Sequence, residues 1–292
     1  ERAMLRDGQI LFTYLHLAPD PEQTTDLVNS GAICIAYETV TSAMGGLPLL
    51  APMSKVAGRM SVQAGAHYLE HTHGGLGILI GGVPGVDPAK VVILGCGVVG
   101  THASQIAVGM GADVWVIDKD PNALDLHWQQ FGRSTNTVFA TEQTIERHVL
   151  EADLVIGGVL IPGATAPKLI TKDMVRSMKP GAVIVDVAID QGGCCETSRA
   201  TTHDEPTYTV NDVVHYCVAN MPGGVPRTST FALNNVTLPH VINLANKGYR
   251  KALLEDQFLQ NGLNICFGSV TCPEVAIALG YEHHPTGQIL QA

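Results

Sequence analysis

The chain has 292 residues, 46% hydrophobic but only 5% aromatic, with 31 glycines and a formal charge of −10 from 17 Lys+Arg against 27 Asp+Glu. That length suits two domains rather than a single core. The acidic balance, without a basic run, excludes nucleic acid and an anionic membrane surface as partners, because both would be repelled. No apolar run is long enough to span a bilayer, and no stretch reads as a secretory leader.

In chain order, residues 10–17 read as a strand of large apolar side chains with one imidazole, His16, near its end, stopped by the prolyl turn Ala18-Pro19-Asp20. A polar helical segment over 21–30 leads to a second short strand over 32–37. The Gly/Pro-rich crossing GGLPLLAPMS follows and marks a domain boundary, and a helical pattern begins at Ser54, which fits as its N-cap. Beyond it come six apolar runs: VVIL (91–94), VWVI (114–117), TVFA (137–140), DLVIGG (153–158), AVIVDVAI (182–189) and VVHYCV (213–218). Five are continuous rather than alternating, as strands buried on both faces of a parallel sheet are. Helical segments such as 101–110 and 142–151 lie between them and give βαβ units. From Ser229 the pattern reads as mostly helical to the end, broken or kinked at Pro239 and capped at Gly248.

The fold class is therefore α/β: a doubly wound parallel Rossmann-type sheet of six strands with a second, discontinuous α/β substrate domain. The expected boundaries are 1–48 and 227–292 for the substrate domain and 49–226 for the nucleotide-binding domain. Seven cysteines, Cys34, Cys96, Cys194, Cys195, Cys217, Cys266 and Cys272, are odd in number, lack a C-x-x-C pair, and predict a reducing, cytoplasmic setting. Of 12 histidines, His71-Thr72-His73 and His283-His284 are the clustered ones. Neither cluster shows the spacing of a structural zinc site, and no metal is expected.

The strongest local motif is KVVILGCGVVG, Lys90 to Gly100. Gly95 permits the tight turn, Gly97 lets a pyrophosphate approach the backbone where a helix starts near Val98, and Gly100 lets that helix pack on the strand. At the end of the next strand, Asp118 can accept hydrogen bonds from both ribose hydroxyls and would repel a 2′-phosphate, favouring NAD over NADP despite the adjacent Lys119. A second carboxylate, Asp190, ends the fifth strand of this domain, and the sixth runs into VANMPGGVPRTST with the amide of Asn220. Both lie at the carboxyl edge, where open α/β sheets bind ligands. Asp186, inside the fifth strand, reads as structural, and Cys194-Cys195 has no histidine near it in sequence to make a nucleophile.

The stretches GQILFTYLHLAPD, ICIAYETV, LPLLAPMSKVAGRM, GGVPGVDPAKVVILGCGVVG, ADLVIGGVLIPGATAPKLI, MKPGAVIVDVAIDQGGCCETSRATTH and HYCVANMPGGVPRTSTFALNN together resemble the alanine dehydrogenase family nearly end to end. The resemblance implies reversible, NAD-dependent oxidative deamination of L-alanine to pyruvate and ammonia, in a homo-oligomer, a hexamer in the family. It matches His16 and Asp190 to the catalytic pair. It also matches Ser54, Val98, Asp118, Val159, Leu160, Val187, Ala188, Ile189, Asp190, Val218, Ala219, Asn220 and Met221 to cofactor contacts.

Two adenosine-side contacts of the family fall on Ala123 and Ala140, whose side chains cannot hydrogen-bond. Asn243 and Lys247 stand where some relatives hold magnesium, which again predicts no metal. The NAD-binding subunit of transhydrogenase looks similar but needs no substrate acid/base pair, and a silent NAD-binding module is the reading from outside the enzymes. In the family an N-terminal lobe bearing a substrate-gripping arginine and lysine precedes the point matching Glu1. Arg2 and Arg6 lie outside any matching motif, so a polypeptide starting at Glu1 is expected to bind NADH but to deaminate alanine poorly.

Overall fold

Continuous Val/Ile/Leu runs can be buried only if both faces of their sheet are covered, and the computed structural model, which describes residues 1–159 and 165–291, shows this arrangement. In chain order the strands are β1 (Ile10–Thr13), β2 (Ile33–Ala36), β3 (Lys90–Leu94), β4 (Asp113–Asp118), β5 (Asn136–Phe139), β6 (Leu154–Gly157), β7 (Val183–Asp186), β8 (Thr207–Val210), β9 (Val213–Tyr216), β10 (Leu263–Cys266) and β11 (Ser269–Val270). The principal helices are α1 (Pro21–Asn29), α2 (Ala51–Tyr68), α3 (Val98–Gly109), α4 (Pro121–Phe131), α5 (Glu142–Glu151), α6 (Lys172–Ser177) and α7 (Pro226–Glu255). The chain divides into two compact units, Glu1–Met53 with Arg227–Ala292, and Ser54–Leu160 with Thr165–Pro226.

In the larger unit seven strands pair in the order β5-β4-β3-β6-β7-β9-β8. All neighbours are parallel except the β8–β9 pair, which is antiparallel. The sheet thus has one strand more than the six expected. TYTV is half-buried or exposed throughout on an edge, so it lacks the buried apolar run that marks its neighbours. Helices α3 to α6 make the crossovers, and the order reverses between β3 and β6, the switch point at which such sheets bind ligands. Val91 to Ile93, Leu154 to Ile156 and Val183 to Val185 are at most 0% exposed, each side chain contributing about 1.5–3 kcal/mol on burial.

The smaller unit carries a four-stranded sheet, β1-β2-β10-β11, with β1 parallel to β2 at one edge and β10 antiparallel on the other side of β2. Two of its strands lie in the C-terminal segment expected to be mostly helical. They are too short, four and two residues, to interrupt a helical reading. Helix α7 runs through Pro239, and the non-helical backbone falls at Gly248 (φ +73°, ψ +160°), where glycine carries no Cβ penalty. Three further expectations change. The strand carrying His16 ends at Thr13. That carrying Asp190 ends at Asp186. Helix α2 starts at Ala51 with Pro52 in its first turn, so Ser54 is its fourth residue and not its N-cap.

Candidate functional site

On the larger unit the chain turns from β3 to α3 through Gly95, whose φ of +101° excludes ordinary side chains, while its N–H donates to the Ile117 carbonyl at 2.8 Å. A Cβ on Gly95 would stand 2.8 Å from the Gly158 carbonyl oxygen, and one on Gly100 only 1.9 Å from that of Gly95. Packing within the chain therefore dictates both glycines. Gly97 differs: a Cβ there would meet nothing within 4 Å. It caps α3 without a side-chain hydrogen bond, at the end of the helix that favours anions. The space left open at the exposed Gly97 is room for a group from outside the chain, which fits a pyrophosphate.

At the end of β4, Asp118 is half-buried, and its two carboxylate oxygens accept from the N–H groups of Cys96 (2.6 Å) and Asp120 (2.9 Å). A carboxylate offers about four lone-pair sites, so two remain for ribose hydroxyls. The Cys96 thiol beside it is pushed up to about 12, by burial first and then by Asp118 and Asp120, and stays protonated.

Asp190 lies on a single 3₁₀ turn, Val187–Gln191, that continues β7. It is exposed, and its Oδ1 accepts from the N–H of Asn220 at 3.1 Å, joining the ends of β7 and β9. Asn220 itself takes the left-handed conformation (φ +51°, ψ +50°), and its carbonyl is 3.2 Å from the His203 Nε2. Beneath, Asp186 is fully buried and organises the turn: its carboxylate accepts from the N–H groups of Ala188, Cys194 and Cys195 and from the Ser198 hydroxyl at 2.6 Å. Asp186 is also the N-cap of this turn. Burial, and then the Asp186 charge, drives the Cys194 thiol well above its ordinary value, and burial raises Cys195 too, so neither is a ready nucleophile.

The remaining cofactor-contact candidates fall on the same edge. Val159 follows β6, half-buried; Ala188, Ile189, Val218 and Met221 are buried, and Ala219 is exposed. The buried ones can meet a ligand only as floor or through backbone. Val98, at the start of α3, is 41% exposed and Val187 is half-buried. Leu160 lies outside the described residues. Lys247, at one of the positions where relatives hold magnesium, pairs with Glu255 at 2.6 Å.

On the smaller unit His16 is exposed and has φ +46°. Non-glycine residues enter that region at a cost of about 1–3 kcal/mol and stay there only when held. The holder is Glu38, a residue the sequence reading left unassigned. Its carboxylate accepts from the N–H of His16 at 2.6 Å and of Leu15 at 3.0 Å. The Gln23 amide donates to the Leu15 carbonyl. The His16 ring stacks on Tyr14 (centroids 5.9 Å apart, planes 13°), whose hydroxyl donates to the Leu49 carbonyl at 2.7 Å. Arg2 is committed to Glu22 and Asp26 on α1, at 2.7 and 2.6 Å. Among the described residues no helix is long and apolar enough to cross a membrane.

Two family models match the chain: "Alanine dehydrogenase/PNT, N-terminal domain" over residues 1–57 and "Alanine dehydrogenase/PNT, C-terminal domain" over 61–273. An alanine dehydrogenase of Halomonas elongata is 59% identical over 97% of this chain and 76% of its own length. One from Methanococcus maripaludis is 54% identical over 99% of this chain and 78% of its own. A solved L-alanine dehydrogenase superposes with a TM-score of 0.89 at 51% identity, covering 96% of this chain and 77% of the other.

Proposed function

This chain belongs to the alanine dehydrogenase/PNT family, and we propose that its reaction is the NAD-linked, reversible oxidative deamination of L-alanine to pyruvate and ammonia. The observation that carries the nucleotide half of this reading is the gathering of the open glycine turn, Asp118 and Asp190 at the carboxyl ends of β3, β4 and β7. The residues fit a dinucleotide: Gly97 and the first turn of α3 would hold its pyrophosphate and Asp118 its adenine ribose. When bound, NAD supplies the acceptor for the hydride of the substrate Cα.

The proposal gives the proton work to His16 and Asp190. An imidazole can donate to the oxygen that becomes the pyruvate carbonyl and pass protons to and from it. The Asn220 N–H holds Asp190 by Oδ1, and Oδ2 lies outside that bond. A carboxylate so oriented can take a proton from the water that adds to the substrate C=N bond, and its charge stabilises the cationic centre. Asp186 and Glu38 touch no substrate in this scheme and serve as positioning residues. The seven free, buried cysteines suit a reducing cytoplasm, and a homo-oligomer, a hexamer by family resemblance, is the assembly proposed.

The test is NADH formation with L-alanine against glycine and L-serine, run in parallel with NADP. L-Alanine with NAD is expected to be the fastest pair, and Asp118→Gly to weaken NAD and narrow the gap to NADP. Equal NAD affinity in that variant would remove Asp118 from the site.

A further inference from the structure

Helix α2 ends in a feature that the nucleotide site does not use. We propose that His67, Glu70 and His73 form a surface binding site for a divalent transition ion of the zinc class. His67 lies in the last turn of α2, Glu70 just past it, and His73 at the end of a 3₁₀ turn, His71–His73, that folds back. One nitrogen or oxygen from each residue lies within 4.8 Å of the others. The His67 Nδ1 is 3.8 Å from Glu70 Oε1, and the His73 Nε2 3.7 Å from Glu70 Oε2. Around a tetrahedral ion with bonds of about 2.0–2.2 Å, ligand atoms stand roughly 3.4 Å apart. Small rotations of three exposed side chains therefore close the site.

The backbone is already set for it. Gly74 turns the chain at φ +85°, the Gly75 N–H donates to the Glu70 carbonyl at 3.2 Å, and the Gly77 N–H to the Leu69 carbonyl at 2.8 Å. The Tyr68 ring meets both imidazoles edge to face, with centroids 5.1 Å from His67 and 5.6 Å from His73. The two imidazole rings are 3.9 Å apart between centroids. The Glu70 carboxylate already faces both imidazoles, one through each oxygen, and three ligand groups brought so close gain most from a shared cation. The C-terminal end of α2, with its partial negative charge, favours that cation further. Two nitrogens and one carboxylate, with open positions for water, suit zinc, nickel or copper, whereas magnesium and calcium prefer all-oxygen sets. A bound ion would tie the helix end to the turn after it and stabilise the folded chain by mass action.

The probe is Zn²⁺ alone, titrated into the purified full chain in competition with a chromophoric chelator. Wild type is compared with Glu70→Gln, His73→Gln and the neighbouring control His71→Gln. One equivalent should bind to wild type and to the control. Both site variants should bind it more weakly by at least the roughly 10–100-fold that loss of an outer hydrogen bond to a metal ligand already costs. Zn²⁺ should raise the melting temperature of wild type but not of the site variants, while all four melt alike without it. Equal zinc affinity in all four proteins, or a loss in His71→Gln as large as in the others, would overturn the site.

Discussion

The turn after β3 and the turn after β1 solve the same problem, a backbone forced to positive φ beyond the end of a strand, by opposite means. At Gly95 the side chain is removed: φ is +101°, a carbonyl stands where a Cβ would point, and the turn is tied to β4 through the Ile117 carbonyl and the Asp118 carboxylate. At His16 a side chain is kept, and the strain at φ +46° is offset by the Glu38 carboxylate on two successive N–H groups. Hydrogen bonds to a charged group contribute about 1.5–3 kcal/mol each, enough to cover the conformational cost. A binding surface can be made of absent side chains, whereas a proton-transferring group must be present and therefore needs a neighbour to pin it.

The comparison is broken most severely by removing the groups proposed for chemistry. His16→Ala and Asp190→Ala should each lower turnover by about 10²–10⁴-fold, the range for general acid–base groups, with NADH affinity held within a factor of about three. Steady-state rates beside an NADH fluorescence titration check this. Turnover near wild type in either variant would remove that residue from the mechanism.

The glycines divide by a stability measurement. Gly100→Ala would place a Cβ 1.9 Å from the Gly95 carbonyl oxygen, so the turn must move. The expected cost is about 3 kcal/mol, at the upper end for overpacking, seen as a lower denaturant midpoint. Gly97→Ala meets nothing, so the midpoint should stay put while NADH affinity falls. Equal destabilisation by both would show that Gly97 is held by the fold and not by the ligand.

Glu38→Ala sharpens the other half. With the Leu15 and His16 N–H groups unpartnered, turnover should fall by up to about 10²-fold through misplacement of the imidazole, again without loss of NADH affinity. Glu38→Gln keeps an acceptor oxygen and should recover part of it. A variant merely destabilised would instead lose NADH binding and turnover together as the temperature rises.

The smallest effect concerns pH. His215, in β9, is fully buried. Its Nδ1–H donates to the Val213 carbonyl at 3.0 Å, so its Nε2 accepts from the Thr197 hydroxyl at 2.7 Å. Burial lowers its pKa below the ordinary 6.5, against weaker raising contributions from Val213 and Asp186. The unfolded chain then takes up the proton first as pH falls, so this stability is fully present above pH 6.5 and lost below it. Melting temperatures from pH 8 to 5 should fall more steeply for wild type than for His215→Gln. Parallel profiles would assign the acid sensitivity elsewhere.

The nucleotide half of this contrast was legible because parallel strands buried on both faces leave continuous apolar runs, and a glycine turn with an acid in register leaves a spacing. The edge strand β8 and the short β10 and β11 carried no such run. Asp190 was found at the correct edge but one 3₁₀ turn beyond its strand, since VIVDVAID is apolar through both. Glu38 was invisible because it acts 22 residues away on backbone N–H groups, which have no residue type to read. Glu70 was overlooked although His67, Glu70 and His73 recur every three residues, because that spacing runs off the end of α2 into a separate 3₁₀ turn and is also ordinary for an exposed helix face.

The central claim is tested most directly with L-alanine deuterated at Cα and NAD, reading the NADH and pyruvate formed by mass spectrometry. One deuterium in each NADH, matched by an equivalent of pyruvate, is the expected result; NADH that carries no deuterium, or no NADH at all, would contradict it.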